Sequence, residues 1–421
     1  MRSVDATDAV PALRERAEAG VTGIDVARER GRTTGAGHSR HFNAAGSALP
    51  SEGVIRTVIE HLRLEEELGG YEAAAKVRPS SEDVYSAAAE LVGSRASEIA
   101  IFDSASTGLR VIVDALRPAP GSRIVASTST YVSHALHLMT IARERDVELV
   151  IAPVDAQRQV DPQALDSILS DGRPTIVSIA HIPTSSGLVE PAARIGEVTT
   201  RHGATYLLDA TQSTGHLSTD VRELGCDVLV TTGRKFLRAP RGTGFAYVAA
   251  GLTERLLPFA PDVRGAQWTG MADWELVDSA RRFESWEASI AGRLGLGTAL
   301  REALGRGVGE TAEWLCERGA QLRTGLSAIP GVVVADPAGS RSAIVTFTVD
   351  EVPASRVTEL LAARDVRVVS VPDTHGQWDL GSRGISSVVR ASPHVYNDGD
   401  DLAALFDGVA AIAASARNGE L

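Results

Sequence analysis

The chain has 421 residues, of which 43% are hydrophobic and 23% charged, and its formal net charge at pH 7 is −12. This length and composition suit an ordinary globular protein with room for two domains, and the acidic balance argues against nucleic acid and anionic membranes as main partners. No apolar run approaches a membrane span, the N-terminus has no signal-peptide pattern, and the two cysteines, Cys226 and Cys316, give neither a disulfide framework nor a metal-binding spacing. We therefore expect a protein of the reducing cytoplasm.

The N-terminal region contains predicted helices ahead of the first strand. Residues 1–40, rich in Arg, Glu, Thr and Gly and with an amphipathic piece near 10–19, are predicted to form a poorly ordered arm that leads to a short helix. A short strand or loop over 41–50 leads to a predicted helix over 54–68, which the sequence Gly-Gly-Tyr-Glu at 69–72 breaks. Another helix is predicted over 81–92.

Strand-to-helix junctions with small hydroxyl residues follow. A strand over 98–102 runs into Asp-Ser-Ala-Ser-Thr-Gly at 103–108, which opens a helix over 109–116. Ser106 and Thr107 in this junction suit a phosphate site, because a helix N-terminus offers free N–H groups. The alternative is simple N-capping by Ser104 or Ser106.

The next strand-to-helix junction contains a tyrosine and a histidine. The strand over 123–126 ends in residues 127–134, which include Tyr131 and His134. His134 and His137 lack a third ligand, so we interpret them as helix-face histidines and predict no metal site.

Two later apolar runs are each followed by a charged residue that is a candidate for binding a cofactor. The run 204–208 ends in Asp209, and the run 228–230 ends in Thr-Thr-Gly-Arg-Lys at 231–235. In open α/β sheets, ligands bind outside the carboxyl ends of the strands. Pyridoxal phosphate requires a lysine that binds it covalently and an acidic partner for its pyridine nitrogen. Asp209 and Lys235 therefore predict a site for pyridoxal 5'-phosphate.

The surroundings of Lys235 favour this interpretation. Thr232, Gly233 and Arg234 precede the lysine, and a turn with Pro240 and three small residues follows it. Such a loop approaches a phosphate closely, and Arg234 with backbone N–H groups neutralises the phosphate. The alternative is that Asp209 caps a helix and Lys235 is a solvated surface charge.

The predicted order of elements defines the fold. Strands and helices alternate from 98 to 248, which predicts a mainly parallel sheet covered on both faces. A long helix from about 294 to 329 then leads to strands over 332–335, 343–349, 366–371 and 387–391 and helices over 355–363 and 400–414. We expect an arm over 1–40, a large domain over 41–290 whose N-terminal segment contributes to the small domain or the active site, and a linker helix with a small α+β domain over 291–421.

Three segments together resemble a known family. They are Asp-Ala-Thr-Gln at 209–212, Thr-Gly-Arg-Lys at 232–235 and Ala-Pro-Arg-Gly at 239–242. They resemble the class-V aminotransferase and cysteine desulfurase group of fold-type I pyridoxal phosphate enzymes, from about residue 42 to the C-terminus. This resemblance implies an α/β fold with a doubly wound large domain and a small C-terminal domain. Arg234 stands where desulfurases carry histidine, which points to another subgroup.

The resemblance also assigns roles in the cofactor site. It implies that Lys235 binds the cofactor and acts as acid and base at the substrate's α-carbon, while Asp209 keeps the pyridine nitrogen protonated. Gln212 is expected to bind the phenolic oxygen. Tyr131 is expected to stack on the ring, with His134 as the second choice.

Further roles follow for the substrate. Thr184 stands where desulfurases carry an asparagine near the phenolic oxygen, in the sequence His-Ile-Pro-Thr-Ser-Ser-Gly at 181–187. Arg390 lies in an Arg-x-Ser segment whose arginine binds the substrate carboxylate, for which its planar fork is suited. A surface salt bridge is the alternative for Arg390. Asn43 and Tyr71 are possible substrate neighbours, with an ordinary turn and a packed core tyrosine as their alternatives.

The resemblance implies a homodimer with shared active sites. In the family, a threonine after an Arg-Phe-Glu segment reaches the phosphate of the partner subunit. Here the corresponding position is Glu287, an anion that is unsuited to this contact. Trp-Thr-Gly at 268–270 is a possible replacement.

The positions of the cysteines restrict which reaction of this family we expect. Desulfurases need a cysteine nucleophile late in the chain, but residues 372–384 contain none. The subgroup pattern resembles actinobacterial enzymes of the ergothioneine and lincosamide pathways that cleave carbon–sulfur bonds. We therefore expect a C–S lyase of secondary metabolism, such as antibiotic biosynthesis, that acts by β-elimination on an S-substituted cysteine.

Alternatives remain open. The same fold supports an aminotransferase (of amino acids or of sugars), an epimerase or a decarboxylation-dependent deaminase. A catalytically silent cofactor-binding regulator or scaffold is a possibility of another class, although the presence of Asp209, Lys235 and Arg390 together argues against it.

Overall fold

The computed structural model describes residues 23–420. Its helices are α1 (Val26–Gly31), α2 (Ala44–Ser47), α3 (Glu52–Leu68), α4 (Gly70–Lys76), α5 (Arg78–Val92), α6 (Ala105–Leu116), α7 (Val132–Arg145), α8 (Pro162–Leu169), α9 (Ala192–His202), α10 (Val221–Leu224), α11 (Ala250–Thr253), α12 (Ile290–Arg306), α13 (Val308–Ser327), α14 (Ala354–Ala362) and α15 (Gly399–Arg417). Its strands are β1 (Arg40–His41), β2 (Ile99–Phe102), β3 (Arg123–Ala126), β4 (Glu148–Ile151), β5 (Thr175–Ala180), β6 (Thr205–Asp209), β7 (Val228–Thr232), β8 (Gly244–Val248), β9 (Ala266–Trp268), β10 (Trp274–Leu276), β11 (Val332–Val334), β12 (Val345–Val349), β13 (Val366–Arg367), β14 (Val369–Pro372) and β15 (Ser387–Ala391).

The described chain divides into two compact units, each with its own hydrophobic core. The large unit comprises Pro50–His181 and Glu190–Val308. The small unit comprises the residues up to Leu49, the segment Ile182–Val189 and the residues from Gly309 onward. No helix in the described part of the chain is long and apolar enough to cross a membrane.

A mainly parallel sheet forms the centre of the large unit. Among the described residues, seven strands join in the order β2-β8-β7-β6-β5-β3-β4, with β8 antiparallel to both neighbours and all other pairs parallel. β3, β5 and β7 are buried along their whole length, as expected of parallel strands covered on both faces. The predicted α/β fold is thus confirmed. In register, Asp209 lies opposite Ala180 on one side and Val230 on the other, so the carboxyl ends of β5, β6 and β7 are adjacent.

The small unit contains an antiparallel sheet of β11, β12, β15 and β14, in that order, within the described residues. β1 pairs in parallel with β13, which brings the N-terminal strand to the C-terminal part of the chain. Phe42, immediately after β1, is fully buried in this core with Phe347 and Leu322. The N-terminal segment therefore forms part of the small unit's core.

The part of the predicted N-terminal arm that is described is built into the small unit. Arg30 on α1 donates to the carbonyl of Tyr396 (2.7 Å) and pairs with Asp401 (2.7 Å) and Asp398 (3.0 Å). In residues 23–40 the predicted arm contains the short helix α1, and these ion pairs of the partly exposed Arg30 connect that helix to residues 396–401. The amphipathic piece near 10–19 lies outside the described residues.

Four other boundaries differ from the predictions. The single helix predicted over 294–329 is two helices, α12 and α13, because Gly307 adopts a φ of 91° that ends the first one. α12 lies in the large unit, whereas the predicted boundary between the domains is at residue 290. The strand predicted over 366–371 is divided into β13 and β14, which pair with different strands. The predicted break at 69–72 is confined to Gly69 (φ 91°), after which α4 begins.

Replacing Gly196 with alanine is expected to lower the midpoint of thermal unfolding. An added Cβ on this residue of α9 would lie 2.1 Å from the carbonyl oxygen of Leu224 at the end of α10. A backbone atom cannot move aside as easily as the end of a flexible side chain. Such overpacking typically costs about 1–3 kcal/mol. The matched control is Gly305→Ala on α12, where a Cβ meets nothing within 4 Å and alanine gains up to about 1 kcal/mol in helix propensity. Equal midpoints for the two variants would contradict the close packing of α9 on α10.

Candidate active site

A buried carboxylate lies at the carboxyl end of β6. Asp209 is 7% exposed, and its Oδ1 accepts a hydrogen bond from the N–H of Thr211 (3.0 Å). Burial raises the pKa of Asp209, and the hydrogen bond from Thr211 and the charge of Lys235 partly oppose that rise. A second cation at this carboxylate would stabilise its ionised form, which suits a protonated pyridine nitrogen.

Lys235 follows β7 in a tight loop. The loop is closed by hydrogen bonds from Gly233 N to the carbonyl of Thr243 (2.8 Å) and from Ala239 N to the carbonyl of Gly233 (2.9 Å). A Cβ on Gly233 would lie 2.3 Å from the hydroxyl of Thr243, so glycine is required for this approach. Lys235 is 7% exposed, and its ammonium lies 6.0 Å from the centroid of the Tyr131 ring. Lysine, acid and ring are thus gathered at the strand ends of one sheet.

Arg234 gives this loop an uncompensated positive charge. Burial and the neighbouring Arg241 lower the pKa of Arg234. Within residues 23–420, no carboxylate pairs with Arg234. Two guanidinium groups that repel one another without a counter-anion are the arrangement expected of an anion site, and the phosphate of the predicted cofactor fits it.

The other predicted phosphate contacts lie at the start of α6. Ser104 is its N-cap, and its Oγ accepts from the N–H of Thr107 (3.2 Å), so N-capping is present here. Ser106 and Thr107 are half-buried in the first turn. Thr232, at the end of β7, is buried and donates its hydroxyl to the carbonyl of Thr243 (3.1 Å). Phosphate binding by Ser106, Thr107 and Thr232 stays a prediction.

The two rings of the Tyr131 junction have different surroundings. Tyr131 is 36% exposed, whereas His134 is 4% exposed, and its Nε2 shares a hydrogen bond with Ser178 Oγ (2.8 Å). Burial lowers the pKa of His134 to about 3, so this ring is neutral. His137 pairs with Asp114 (3.2 Å). Tyr131 therefore suits the stacking role better than His134 does. Among the described residues, no cluster of His, Cys, Asp and Glu is arranged to hold a metal ion.

His216 supports the site and was missed by the sequence analysis. Its ring stacks on Phe236, the residue after Lys235, with 4.0 Å between centroids, and its Nδ1 shares a hydrogen bond with the carbonyl of Gln212 (3.0 Å). His216 is 1% exposed. It therefore connects the backbone of the predicted phenolic-oxygen ligand to the lysine loop. The i to i+4 spacing from Gln212 was the available signal for this contact.

Arg390, Thr184 and Asn43 form a second cluster, which belongs to the small unit. Arg390 at the end of β15 is 5% exposed. Its Nη1 donates to both the hydroxyl and the carbonyl of Thr184, and its Nη2 donates to Asn43 Oδ1 (3.2 Å). These hydrogen bonds go to neutral oxygens, and the planar fork of a guanidinium is suited to binding a carboxylate. The prediction that Thr184 binds the phenolic oxygen is not tested by these contacts, which give its hydroxyl another partner.

Tyr71 lies elsewhere, on a cavity of about 650 Å³ in the large unit. It is 78% exposed, so it is not a packed core tyrosine. Glu287 and Trp286 line the same cavity, beside Arg264 and Arg293. None of the residues described as lining this cavity belongs to the Asp209–Lys235 group. The placement of Tyr71 near the substrate stays a prediction.

Comparison with known proteins identifies relatives along most of the chain. The model of the Aminotransferase class-V family matches residues 41–405. A probable cysteine desulfurase of Methanothermobacter thermautotrophicus is 24% identical over 382 residues, which are 89% of this chain and 94% of the relative. A probable hercynylcysteine sulfoxide lyase of Mycobacterium tuberculosis is 28% identical over 384 residues, which are 90% of this chain and 91% of the relative.

Solved structures share the fold. The apo structure of a cysteine desulfurase from Thermococcus onnurineus superposes with a TM-score of 0.86 at 20% identity and covers 94% of this chain and 100% of that one. The cystine C–S lyase C-DES, solved with its reaction product cysteine persulfide, superposes with a TM-score of 0.81 at 21% identity and covers 90% of this chain and 99% of that one.

In the cofactor-free protein, Asp209→Asn is expected to raise the midpoint of thermal unfolding at pH 7. An unfolded aspartate ionises near about pH 3.9, whereas the folded carboxyl, with its pKa raised by burial, ionises only at higher pH. Folding is therefore penalised above about pH 3.9, and asparagine removes that penalty. The gain should shrink as the pH falls towards about 4. Thermal unfolding followed by circular dichroism between these pH values measures it.

The control is Asp103→Asn, because Asp103 is exposed. An equal gain for Asp209→Asn at both pH values would show that packing rather than charge is responsible.

The same variant is expected to bind the cofactor at least about tenfold more weakly, because one charge-assisted hydrogen bond contributes about 1.5–3 kcal/mol.

Proposed function

We propose that this chain, which belongs to the class-V aminotransferase family, is a C–S lyase that cleaves S-substituted cysteines by β-elimination in secondary metabolism. It is a pyridoxal phosphate-dependent enzyme of that family, and cysteine-like amino acids are its substrate class. The observation that carries the finer proposal is the lack of a usable cysteine nucleophile in a chain that has the acid, the lysine and the arginine of the family.

The two cysteines are poorly placed to act as nucleophiles. Cys226 is 5% exposed, and burial raises its pKa to about 12. Cys316 lies on α13, and burial raises its pKa as well. A nucleophilic cysteine needs an accessible thiolate. Removal of sulfur as an enzyme persulfide is therefore unfavourable, whereas release of a thiol by elimination needs no cysteine.

The charges of the chain match the needs of β-elimination. When bound, the cofactor supplies an electron sink for the carbanion at the substrate's α-carbon. Asp209 would hold its ring nitrogen, Tyr131 its ring face and Arg234 its phosphate. Lys235 would bind it covalently and, once displaced by the substrate amine, take the α-proton. Arg390 would hold the substrate carboxylate.

Water is the only co-reactant that the overall reaction requires. The α-proton leaves, the bond between the β-carbon and sulfur breaks, and the thiol departs with that electron pair and a proton. Hydrolysis of the remaining three-carbon unit gives pyruvate and ammonium. The name of the Mycobacterium tuberculosis relative, a probable hercynylcysteine sulfoxide lyase, supports cleavage of this kind.

The loaded enzyme is expected to release equimolar pyruvate and thiol from L-cysteine S-conjugates. Lys235→Ala should abolish release, and Arg390→Gln should lower kcat/KM by at least about hundredfold, because two charge-assisted hydrogen bonds of about 1.5–3 kcal/mol each are lost. The double variant with Cys226→Ala and Cys316→Ser is the control and should retain activity. Coupled assays for pyruvate and thiol measure each product.

Other products would replace the proposal. A keto acid that retains the sulfur substituent would indicate transamination. Loss of activity in the double cysteine variant would indicate desulfuration. An active Arg390→Gln variant would favour a substrate without a carboxylate, such as an amino sugar. Bound cofactor with no product from any conjugate would indicate a silent binding module.

We further propose that the enzyme is a homodimer with shared active sites. The large unit exposes a group of apolar side chains, here called the aromatic face: Tyr71 (78%), Phe259 (73%), Val263 (72%), Trp268 (80%), Met271 (99%), Trp274 (44%) and Trp286 (52%). Trp268 and Trp274 pair across β9 and β10, and the N–H of Trp286 binds Asp262, next to Val263. Exposed apolar groups of this size mark protein interfaces.

Trp268→Arg is expected to weaken the dimer, because a charge would have to be desolvated within the aromatic face. Sedimentation velocity of the loaded enzyme should show a dimer of the 44.3 kDa chain for the unmodified protein and a larger monomer fraction for the variant. Leu136→Arg is the control, since Leu136 on α7 is 57% exposed and lies outside the aromatic face. A monomeric unmodified enzyme would overturn the proposal.

A further inference from the structure

We propose that Asp379 is a positioning residue for Arg390. Through Ser185 it holds Thr184 in the conformation in which both oxygens of that threonine accept from the guanidinium. The inference deepens the proposed function, since it rests on Arg390 as the group that binds the substrate carboxylate.

A buried hydrogen bond joins two distant segments of the small unit. Ser185 Oγ donates to Asp379 Oδ2 at 2.8 Å, and the two residues are 2% and 6% exposed. They are 194 positions apart in the chain. A carboxylate accepting in a buried site makes a stronger bond than a neutral acceptor does, and an unmade bond there is costly. This contact therefore fixes Ser185 against residues 373–384.

Ser185 directly follows the residue that Arg390 contacts. The guanidinium donates to the hydroxyl of Thr184 and, at 3.2 Å, to its carbonyl. A shift of Ser185 would move that carbonyl through the shared peptide bond. The two acceptors define the plane of the guanidinium, so the orientation of Arg390 depends on how firmly this short segment is held.

The other end of the segment is anchored independently. The N–H of Gly187 donates to Asp336 Oδ1 (3.0 Å), and Asp336 pairs with Arg323 Nε (2.8 Å). Arg323 also donates to the carbonyl of Ile344 (2.6 Å). Thr184 thus lies beside a segment held on both sides, and Asp379 provides the hold nearest to Arg390.

Residues 373–384 are themselves fixed, which allows Asp379 to act as an anchor. Leu380 is fully buried, with Val371, Val388 and Ala335 as core neighbours. Arg383 donates to the carbonyl of Ala335 (2.6 Å) and pairs with Asp379 Oδ1 (3.5 Å). A second hydrogen-bonded contact to a rigid segment restricts Ser185 far more than a contact to a mobile loop would.

The test compares Asp379→Ala, Asp379→Asn, Ser185→Ala and the Asp379→Ala/Ser185→Ala pair in the cofactor-loaded enzyme. The matched control is Ser386→Ala, because Ser386 is exposed. Two probes are titrated: S-methyl-L-cysteine and its counterpart without a carboxylate, 2-(methylthio)ethylamine. Hydrogen exchange of residues 182–189 and 373–384 is followed in parallel, since it needs neither probe nor turnover.

We expect Asp379→Ala and Ser185→Ala each to weaken binding of S-methyl-L-cysteine about tenfold and to leave binding of the amine unchanged, with faster exchange in both segments. The double variant should bind S-methyl-L-cysteine no more weakly than either single variant does, because both substitutions remove the same hydrogen bond. Asp379→Asn should retain most of the affinity, since its amide oxygen accepts the same hydrogen bond. Ser386→Ala should match the unmodified enzyme.

The inference is overturned if Asp379→Ala speeds hydrogen exchange only within 373–384, or if it weakens the binding of both probes equally. It is also overturned if the losses of S-methyl-L-cysteine affinity in the two single variants add in the double variant. If Asp379→Ala does not fold, Ser185→Ala and Asp379→Asn decide by the same criteria. A failure of the proposed function looks different: the unmodified enzyme releases no thiol from any conjugate, while the exchange comparison still decides whether Asp379 holds Thr184.

Discussion

A carboxylate buried at the end of a central parallel strand is the constraint on which this site depends. Asp209 keeps its charge only if cations and N–H groups surround it, because burial alone raises its pKa. The loop after the neighbouring strand β7 supplies Lys235, and the turn that follows Asp209 supplies the Thr211 N–H. They offset the cost in part, and a cationic ring nitrogen would complete the compensation. We therefore expect the stability of the cofactor-free fold and the affinity for the cofactor to depend on this one side chain.

Positive charge is distributed according to the same rule. Arg234 has no carboxylate partner among the described residues, so its charge suits an anionic ligand, and the hydrogen bonds from Arg390 to Thr184 and Asn43 go to neutral oxygens. Elsewhere in the described chain, two arginines pair with buried carboxylates: Arg323 with Asp336, and Arg293 with Glu284. A carboxylate already pairs these two arginines within the fold, whereas none of the described carboxylates pairs Arg234.

The segment at 373–384 is the part of the small unit on which the proposed lyase chemistry depends. It contains no cysteine, and its buried Leu380 and Asp379 attach it to the small unit. In place of a nucleophile it offers rigidity next to the residues that hold Arg390. Elimination of a thiol needs a fixed substrate more than it needs a second nucleophile, so this substitution is consistent with a lyase.

The sequence by itself determined the α/β fold, the strand ends that carry Asp209 and Lys235, and the family. These depend on local signals: buried apolar runs, the residues that end them, and the spacing of a short motif. Only the tertiary structure decided that Gly307 divides one predicted helix, that β13 and β14 take different partners, that His216 stacks behind the lysine loop, and that Asp379 meets Ser185. Those contacts join residues far apart in the chain, and nothing in a local pattern specifies which buried polar groups will satisfy one another.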